Sequence, residues 1–475
     1  MVFSSLIFLY AFLPLSLAAY ALCRSQKAKN ASLLISSLIF YAWGGPVYVL
    51  LLMLMCMADW ICALGIERAG TKGGKKGWLA AAIVFDLALL GFFKYAGFFC
   101  SLFGPVPEKI AAIALPIGIS FYTFQLMTYV IDVYHGRAAA QKSYWRVLLY
   151  ASLFHQCIAG PIVRYNSIAD ELYGSRSGTG GLLPGIRRFT TGLAKKTLLA
   201  NPCGALAEAL LKGGTAELQS LSVLGAWLGI LAFTLQIYLD FSAYSDMAIG
   251  LGRMLGLHYP ENFDYPYTSR SVTEFWRRWH MTLSRFFRDY LYIPLGGNRC
   301  GPARRFFNLL VVWTLTGLWH GASWNFVLWG LYYFVFLILE RLFLGRVLEK
   351  LHVLSRIYLL LAVVIGWVLF YFTDLSCVLA LLGSMAGRFG NALTDFYTVT
   401  TLKNHMFLLL AAAVACTPLV RFVTEKLNAR ANARGGFAAG AWEIWHSCAV
   451  PIALLLLATC SLVGDSYNPF TYFRF

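Results

Sequence analysis

Residues 222–248 read SVLGAWLGILAFTLQIYLDFSAYSDMA, 27 residues with two acids and no base. As a helix this run is about 40 Å long, more than the roughly 30 Å of a bilayer's hydrocarbon core. Its first half is plain lipid-compatible sequence. Its second half gathers Gln236, Tyr238, Asp240, Ser242, Tyr244, Ser245 and Asp246. Ionisable residues inside a span are functional candidates because burying them in hydrocarbon is costly. The density of this polar run predicts the lining of a cavity or tunnel. Helix–helix hydrogen bonding is the bland alternative, and it is preferred for the more scattered Asp59, Asp86, Asp132 and His155.

Working outward, apolar runs recur near 3–22, 78–100, 112–134, 322–340, 357–374, 404–421 and 446–463. Gly44, Gly45 and Pro46 split the stretch 31–65 into a helix pair or one broken helix. Runs near 147–162, 197–211 and 306–319 are short for a full crossing. The expectation is an all-α polytopic membrane protein of about eleven or twelve crossings. It would form one membrane domain over 1–475, with a functional core near 231–330 and an aromatic tail at 468–475. Composition agrees: 59% of residues are hydrophobic and 13% charged, where a soluble domain is nearer a quarter charged. The N-terminal run lacks a basic start and a small-residue cleavage site, so it reads as a retained span.

The net charge of +17 suggests nucleic acid in a soluble protein. Here the basic clusters at 24–29, 68–76, 137–146, 187–196, 299–305, 341–356 and 421–434 fall in breaks between apolar runs. Placing them all in the cytoplasm is self-consistent and puts both termini outside. Contact with membrane lipid accounts for the charge, and no nucleic-acid partner is needed. Eleven scattered cysteines without a CxxC pair make neither a disulfide framework nor a metal site.

The segment 251–305 is rich in Arg, Trp, Tyr, Pro and Asn, and it reads as a functional insert. Taken as a helix over 272–291, it puts Arg277, Arg278, Arg285 and Arg288 within about a 100° arc, opposite an aromatic face that includes Trp279 and is edged by His280. Such a helix anchors in the interface, or its arginines bind the phosphates of a thioester donor. Leu318-Trp319-His320-Gly321-Ala322-Ser323-Trp324-Asn325 follows the short run 306–319, which as a helix would span roughly 20 Å. His320 would then lie within the membrane at a glycine break. A neutral imidazole there is a general base, or a packed ring donating to a carbonyl. No nucleotide-binding loop, serine-hydrolase elbow or zinc-protease motif occurs.

These stretches, Glu274–His280, Arg288–Asn298 and Leu318–Trp324, together with Leu115–Phe121, Ile131–Tyr134, Ala159–Arg164 and Tyr238–Asp246, resemble the membrane-bound O-acyltransferase family. The likeness is to its bacterial branch of alginate, peptidoglycan and teichoic-acid enzymes. His155-Gln156 departs from the proline expected after that histidine. The resemblance implies a ring of tilted helices, with re-entrant or interfacial helices, around a tunnel. It makes His320 the catalytic histidine and His280 the second motif position. It also makes Tyr472, in Phe470-x-Tyr472-x-x-Phe475, a candidate acyl relay, with the interfacial anchor as the alternative.

The expected function is O-acetylation of a cell-envelope polysaccharide or peptidoglycan from a cytoplasmic thioester. Acetyl-CoA is the expected donor, with no tightly bound cofactor and no metal. The expected setting is the bacterial inner membrane, beside a periplasmic or membrane-tethered SGNH-type transferase partner. Candidate donor or substrate contacts are Arg277, Arg278, Arg285, Arg288, Trp279, Tyr238, Asp240, Tyr244 and Asn325. D-alanyl transfer from a carrier protein and transport of an envelope precursor are the alternatives.

Overall fold

Backbone groups in hydrocarbon must be satisfied within the chain, which favours helices. The computed structural model describes residues 1–174, 176 and 181–464, and every regular element among them is helical. Seven helices are long and apolar enough to cross a membrane: Pro46–Arg68, Lys72–Ser101, Val223–Met254, Trp324–Lys350, His352–Tyr371, Phe396–Ala415 and Gly436–Gly464. Phe8–Leu22 and Leu375–Met385 are apolar but shorter. The chain is a multi-pass membrane protein.

Local sequence explains several boundaries. Gly45 and Pro46 do separate two helices, Gln26–Ala42 and Pro46–Arg68. The run expected at 112–134 becomes a helix only at Ile119 and ends at Tyr134. Gly118 precedes it with φ +79°, and a Cβ there would lie 2.3 Å from the Cys157 carbonyl oxygen. Only glycine fits that turn. The run expected at 404–421 forms eight residues earlier, as Phe396–Ala415. Asp395 caps it, accepting from the Thr398 N–H at 2.8 Å and the Thr398 hydroxyl at 2.6 Å.

The chain divides into two compact units: Met1–Phe189 with Tyr244–Glu261, and Thr190–Ala243 with Asn262–Phe475. The Val223–Met254 helix begins in the second and ends in the first. In the first unit, the Pro46–Arg68, Lys72–Leu90 and Ile119–Tyr134 helices pack on one another. The buried, non-helical segment 153–164 is held by side chains: the Tyr150 hydroxyl donates to the Val163 carbonyl at 2.8 Å, and the Gln156 amide to the Tyr150 carbonyl at 2.6 Å. Asp246 from the polar run pairs with Arg188 at 2.9 Å.

In the second unit, the Pro302–His320 and Trp324–Leu339 helices cross as a tight hairpin. A Cβ on Gly317 would lie 2.2 Å from the Phe326 carbonyl oxygen, and one on Gly330 would lie 2.3 Å from that of Trp313. The backbones meet where neither residue carries a side chain. Around this hairpin packs an aromatic core containing Trp276, Trp279, Trp329, Tyr333 and Trp367.

Candidate active site

The second unit assembles the site from three pieces. The first is the hairpin. Pro302–His320 has 19 residues, about 28 Å of helix, longer than the 306–319 run implied because Pro302 at its first turn starts it earlier. His320 is its last residue, followed by Gly321 in extended conformation. A Cβ on Gly321 would strike the Phe326 ring at 2.2 Å. The turn therefore needs glycine directly after the histidine. His320 is 4% exposed, and its ring lies 5.0 Å from Trp319, 5.0 Å from Trp329 and 5.3 Å from Phe370, near-perpendicular to each.

The second piece is the insert, which is not the single helix expected over 272–291. It breaks into Val272–Arg278 and Met281–Phe287. His280 sits at the break with φ +41°, and Tyr265 with φ +45° is the other described non-glycine residue with positive φ. Such conformations are strained for L-residues and persist only where the surroundings enforce them. The expected arc of four arginines is thereby broken. Arg278 pairs with Glu274 at 2.6 Å and Arg288 with Asp289 at 2.6 Å, while Arg285 lies exposed beyond the break.

Arg277 forms no ion pair or hydrogen bond among the described residues and lines a cavity of about 820 Å³. Arg270, Arg341, Asn298 and Leu337 line it too. Two of its three carboxylates are already engaged. Glu274 holds Arg278 and accepts from the Arg270 N–H at 2.8 Å. Glu340 caps the Val272–Arg278 helix, accepting from the Val272 N–H at 2.6 Å and the Thr273 N–H at 2.8 Å. Arg341 reaches the Asn298 side-chain oxygen at 3.3 Å.

The third piece is the Val223–Met254 helix. Asp240 forms a 2.8 Å ion pair with Lys196, and both side chains are almost fully buried. Tyr238 packs 6.0 Å from Trp279 and 5.3 Å from Tyr267. Phe241 meets the His280 ring edge-on at 4.7 Å. Tyr244 belongs to the first unit, stacked on Phe3 at 4.5 Å. Asn325 is fully buried beside the hairpin turn, donating to the Leu369 carbonyl at 3.2 Å. Tyr472 lies outside the described residues.

The site therefore brings together His320, His280, Trp279, Tyr238 and Asn325 in one aromatic unit. Trp319 links the two histidines, 5.0 Å from His320 and 5.8 Å from His280. Trp276 links Arg277's helix to the hairpin, 5.4 Å from Trp329 and 4.9 Å from Tyr333. The buried indole N–H groups of Trp276 and Trp329 and the Tyr333 hydroxyl have no hydrogen-bond partner among the described residues. Buried donors are costly to leave unsatisfied, so each of these calls for a partner. His280 is fully buried between spans, and burial pushes its pKa down to about 3, so the ring is neutral. Among the described residues no group of three metal-ligating side chains occurs. What this arrangement offers is two buried imidazoles among aromatic rings, with hydrogen-bond donors on the same cluster.

The family model for membrane-bound O-acyltransferases matches residues 139–382. Over the full length of both chains, this protein is 36% identical to a probable alginate O-acetylase of Azotobacter vinelandii. It is 32% identical to a peptidoglycan O-acetyltransferase of Helicobacter pylori, across 83% of this chain and 81% of that one. A teichoic acid D-alanyltransferase of Streptococcus thermophilus is 27% identical across 48% of this chain and 58% of its own.

Proposed function

From the premise that this chain belongs to the membrane-bound O-acyltransferase family, we propose that it acetylates hydroxyl groups of a cell-envelope polysaccharide or peptidoglycan, drawing on a cytoplasmic thioester. The enzyme class, an O-acyltransferase, follows from the family. The acceptor class is taken from the alginate and peptidoglycan relatives, which match over most or all of the chain, whereas the D-alanyl relative matches under half. Acetyl-CoA is the proposed donor, the bacterial inner membrane the proposed location, and a separate extracytoplasmic transferase of SGNH type the proposed partner.

The observation that carries the mechanism is His320 ending a helix inside an aromatic cage. In the proposed step the acceptor hydroxyl gives its proton to the neutral imidazole as its oxygen attacks the thioester carbonyl carbon. The carbonyl oxygen becomes an oxyanion, for which the N–H groups of Trp276 and Trp329 and the Tyr333 hydroxyl are candidate donors. Collapse breaks the C–S bond, and the thiolate recovers the proton from the imidazolium. General-base assistance contributes about 10²- to 10⁴-fold. Enclosure limits loss of the thioester to water. The cavity at Arg270, Arg277 and Arg341 is proposed for the donor's phosphates, since guanidinium groups pair well with them. Tyr472 is the proposed intermediate acceptor, taking the acetyl group before the partner does.

The test is His320→Ala in a producing strain and in purified protein reconstituted in lipid discs. The variant is expected to be as abundant as wild type and to release no CoA thiol from acetyl-CoA above background. Normal polymer acetylation by that variant would overturn the assignment of the base.

A further inference from the structure

We infer that Asn262 is a positioning residue that fixes the tautomer of His280, leaving Nε2 as a hydrogen-bond acceptor for a substrate N–H or O–H group. The inference rests on the reading of this aromatic cluster as the acyl-transfer site. The Asn262 side-chain oxygen lies 3.1 Å from His280 Nδ1, 3.3 Å from the Thr282 backbone nitrogen and 2.8 Å from the Thr282 hydroxyl. A backbone N–H can only donate, so the Asn262 atom facing Thr282 must be the amide oxygen. That settles which way the amide points. The same oxygen faces His280 Nδ1, so Nδ1 must carry the proton. In a neutral imidazole the other nitrogen, Nε2, then holds a lone pair.

The backbone adds a second hold. The Met281 N–H donates to the Asn262 carbonyl at 2.9 Å, so Asn262 grips residues 280, 281 and 282 together. This grip accounts for the left-handed backbone of His280, a conformation rare for a non-glycine residue. Asn262 is 1% exposed and His280 is 1% exposed, so water does not compete for these bonds. Among the described residues, Phe241, Phe263 and Trp319 pack against the ring. Charged and titratable groups on the surrounding elements include Asp240 with its partner Lys196, Tyr238, Asp264, Tyr265, Tyr267, Arg277, the Glu274–Arg278 pair, Arg285 and His320. The consequence for chemistry is directional. His280 accepts a hydrogen from the acceptor hydroxyl or from an amide of the donor's arm, and it does not donate to the oxyanion.

The experiment uses full-length protein in lipid discs and follows thiol release from acetyl-CoA across about pH 5.5 to 8.5, a range that includes the pKa of free imidazole. Asn262→Asp keeps an oxygen facing Nδ1 but makes it a carboxylate, which favours the imidazolium and raises the His280 pKa. Below that new pKa the Nε2 lone pair is lost. The expected result is a new acid limb, with activity at least about tenfold lower at the acid end and recovering as pH rises. A uniform loss across pH, or a profile matching wild type, would overturn the inference. His280→Ala separates the two claims: full activity in that variant would sink the role of His280 itself and not the tautomer argument. Should Asn262→Asp fail to fold, ¹⁵N-histidine solid-state NMR on wild type, with His280→Gln as the subtraction, reads the tautomer directly. Protonated Nδ1 with bare Nε2 supports the inference, and the reverse ends it.

Discussion

Trp329 is the residue whose position says most about His320. Its ring is fully buried 5.0 Å from the imidazole, and its indole N–H has no partner among the described residues. Trp329→Phe keeps most of the apolar contact and removes the donor. If that N–H serves a developing oxyanion, kcat should fall about 10²-fold with little change in KM for the donor. A variant with wild-type kcat would leave the indole a packing residue only. The sequence singles out His320 and His280 as candidates because each lies in a short, local, polar-aromatic motif, and the structure buries both in one aromatic cluster. It does not single out Trp329, Tyr333 or Asn262. Their proposed roles rest on which rings and backbone groups they meet in the fold, and an apolar or polar letter in a run carries no sign of which ring it will face. Asn262, eighteen residues before His280, sat in a loop where asparagine has an ordinary local explanation.

Elements hold these residues through close backbone approach and helix capping. The Pro302–His320 and Trp324–Leu339 helices can meet as they do because Gly317 and Gly330 face each other's backbones. Gly330→Ala would put a methyl group 2.3 Å from the Trp313 carbonyl oxygen, so the helices must part. A loss of about 1–3 kcal/mol is expected from such overpacking, read as a lower thermal midpoint in detergent by size-exclusion after heating. Activity should fall too, because His320 closes the same hairpin. Gly73→Ala is the control: nothing lies within 4 Å of its Cβ, and alanine favours the Lys72–Leu90 helix. The expected helix over 272–291 shows why this scale is hard to read. Its periodicity was sound, but the Met281 N–H bonds to the Asn262 carbonyl instead of a carbonyl one turn back. A tertiary bond overrode local propensity, and no window of residues 272–291 contains residue 262.

For the whole molecule, the sequence made the membrane class plain because 13% charge leaves too little polar surface for a soluble chain of this length. It was less informative about element ends, where capping by Asp395 and a turn at Gly118 set the boundaries. The same charge count bears on donor capture. A net +17 on a chain whose basic residues cluster in the loops creates a field that draws anions toward those faces. Arg277, exposed at its cavity and without an ion pair among the described residues, lies where that field would be turned into a contact. Arg277→Gln should therefore raise KM for acetyl-CoA several-fold while leaving kcat near wild type, since the guanidinium would bind ground state and transition state alike. Salt supplies the discriminating axis. Raising ionic strength from about 0.05 to 0.5 M shortens the screening length to a few ångströms and should raise the wild-type KM. The slope of log KM against log salt should be shallower in Arg277→Gln, because one charge contact is already gone. Parallel slopes in the two proteins would mean that the phosphates are held elsewhere, and the cavity would lose its assignment while His320 kept its own.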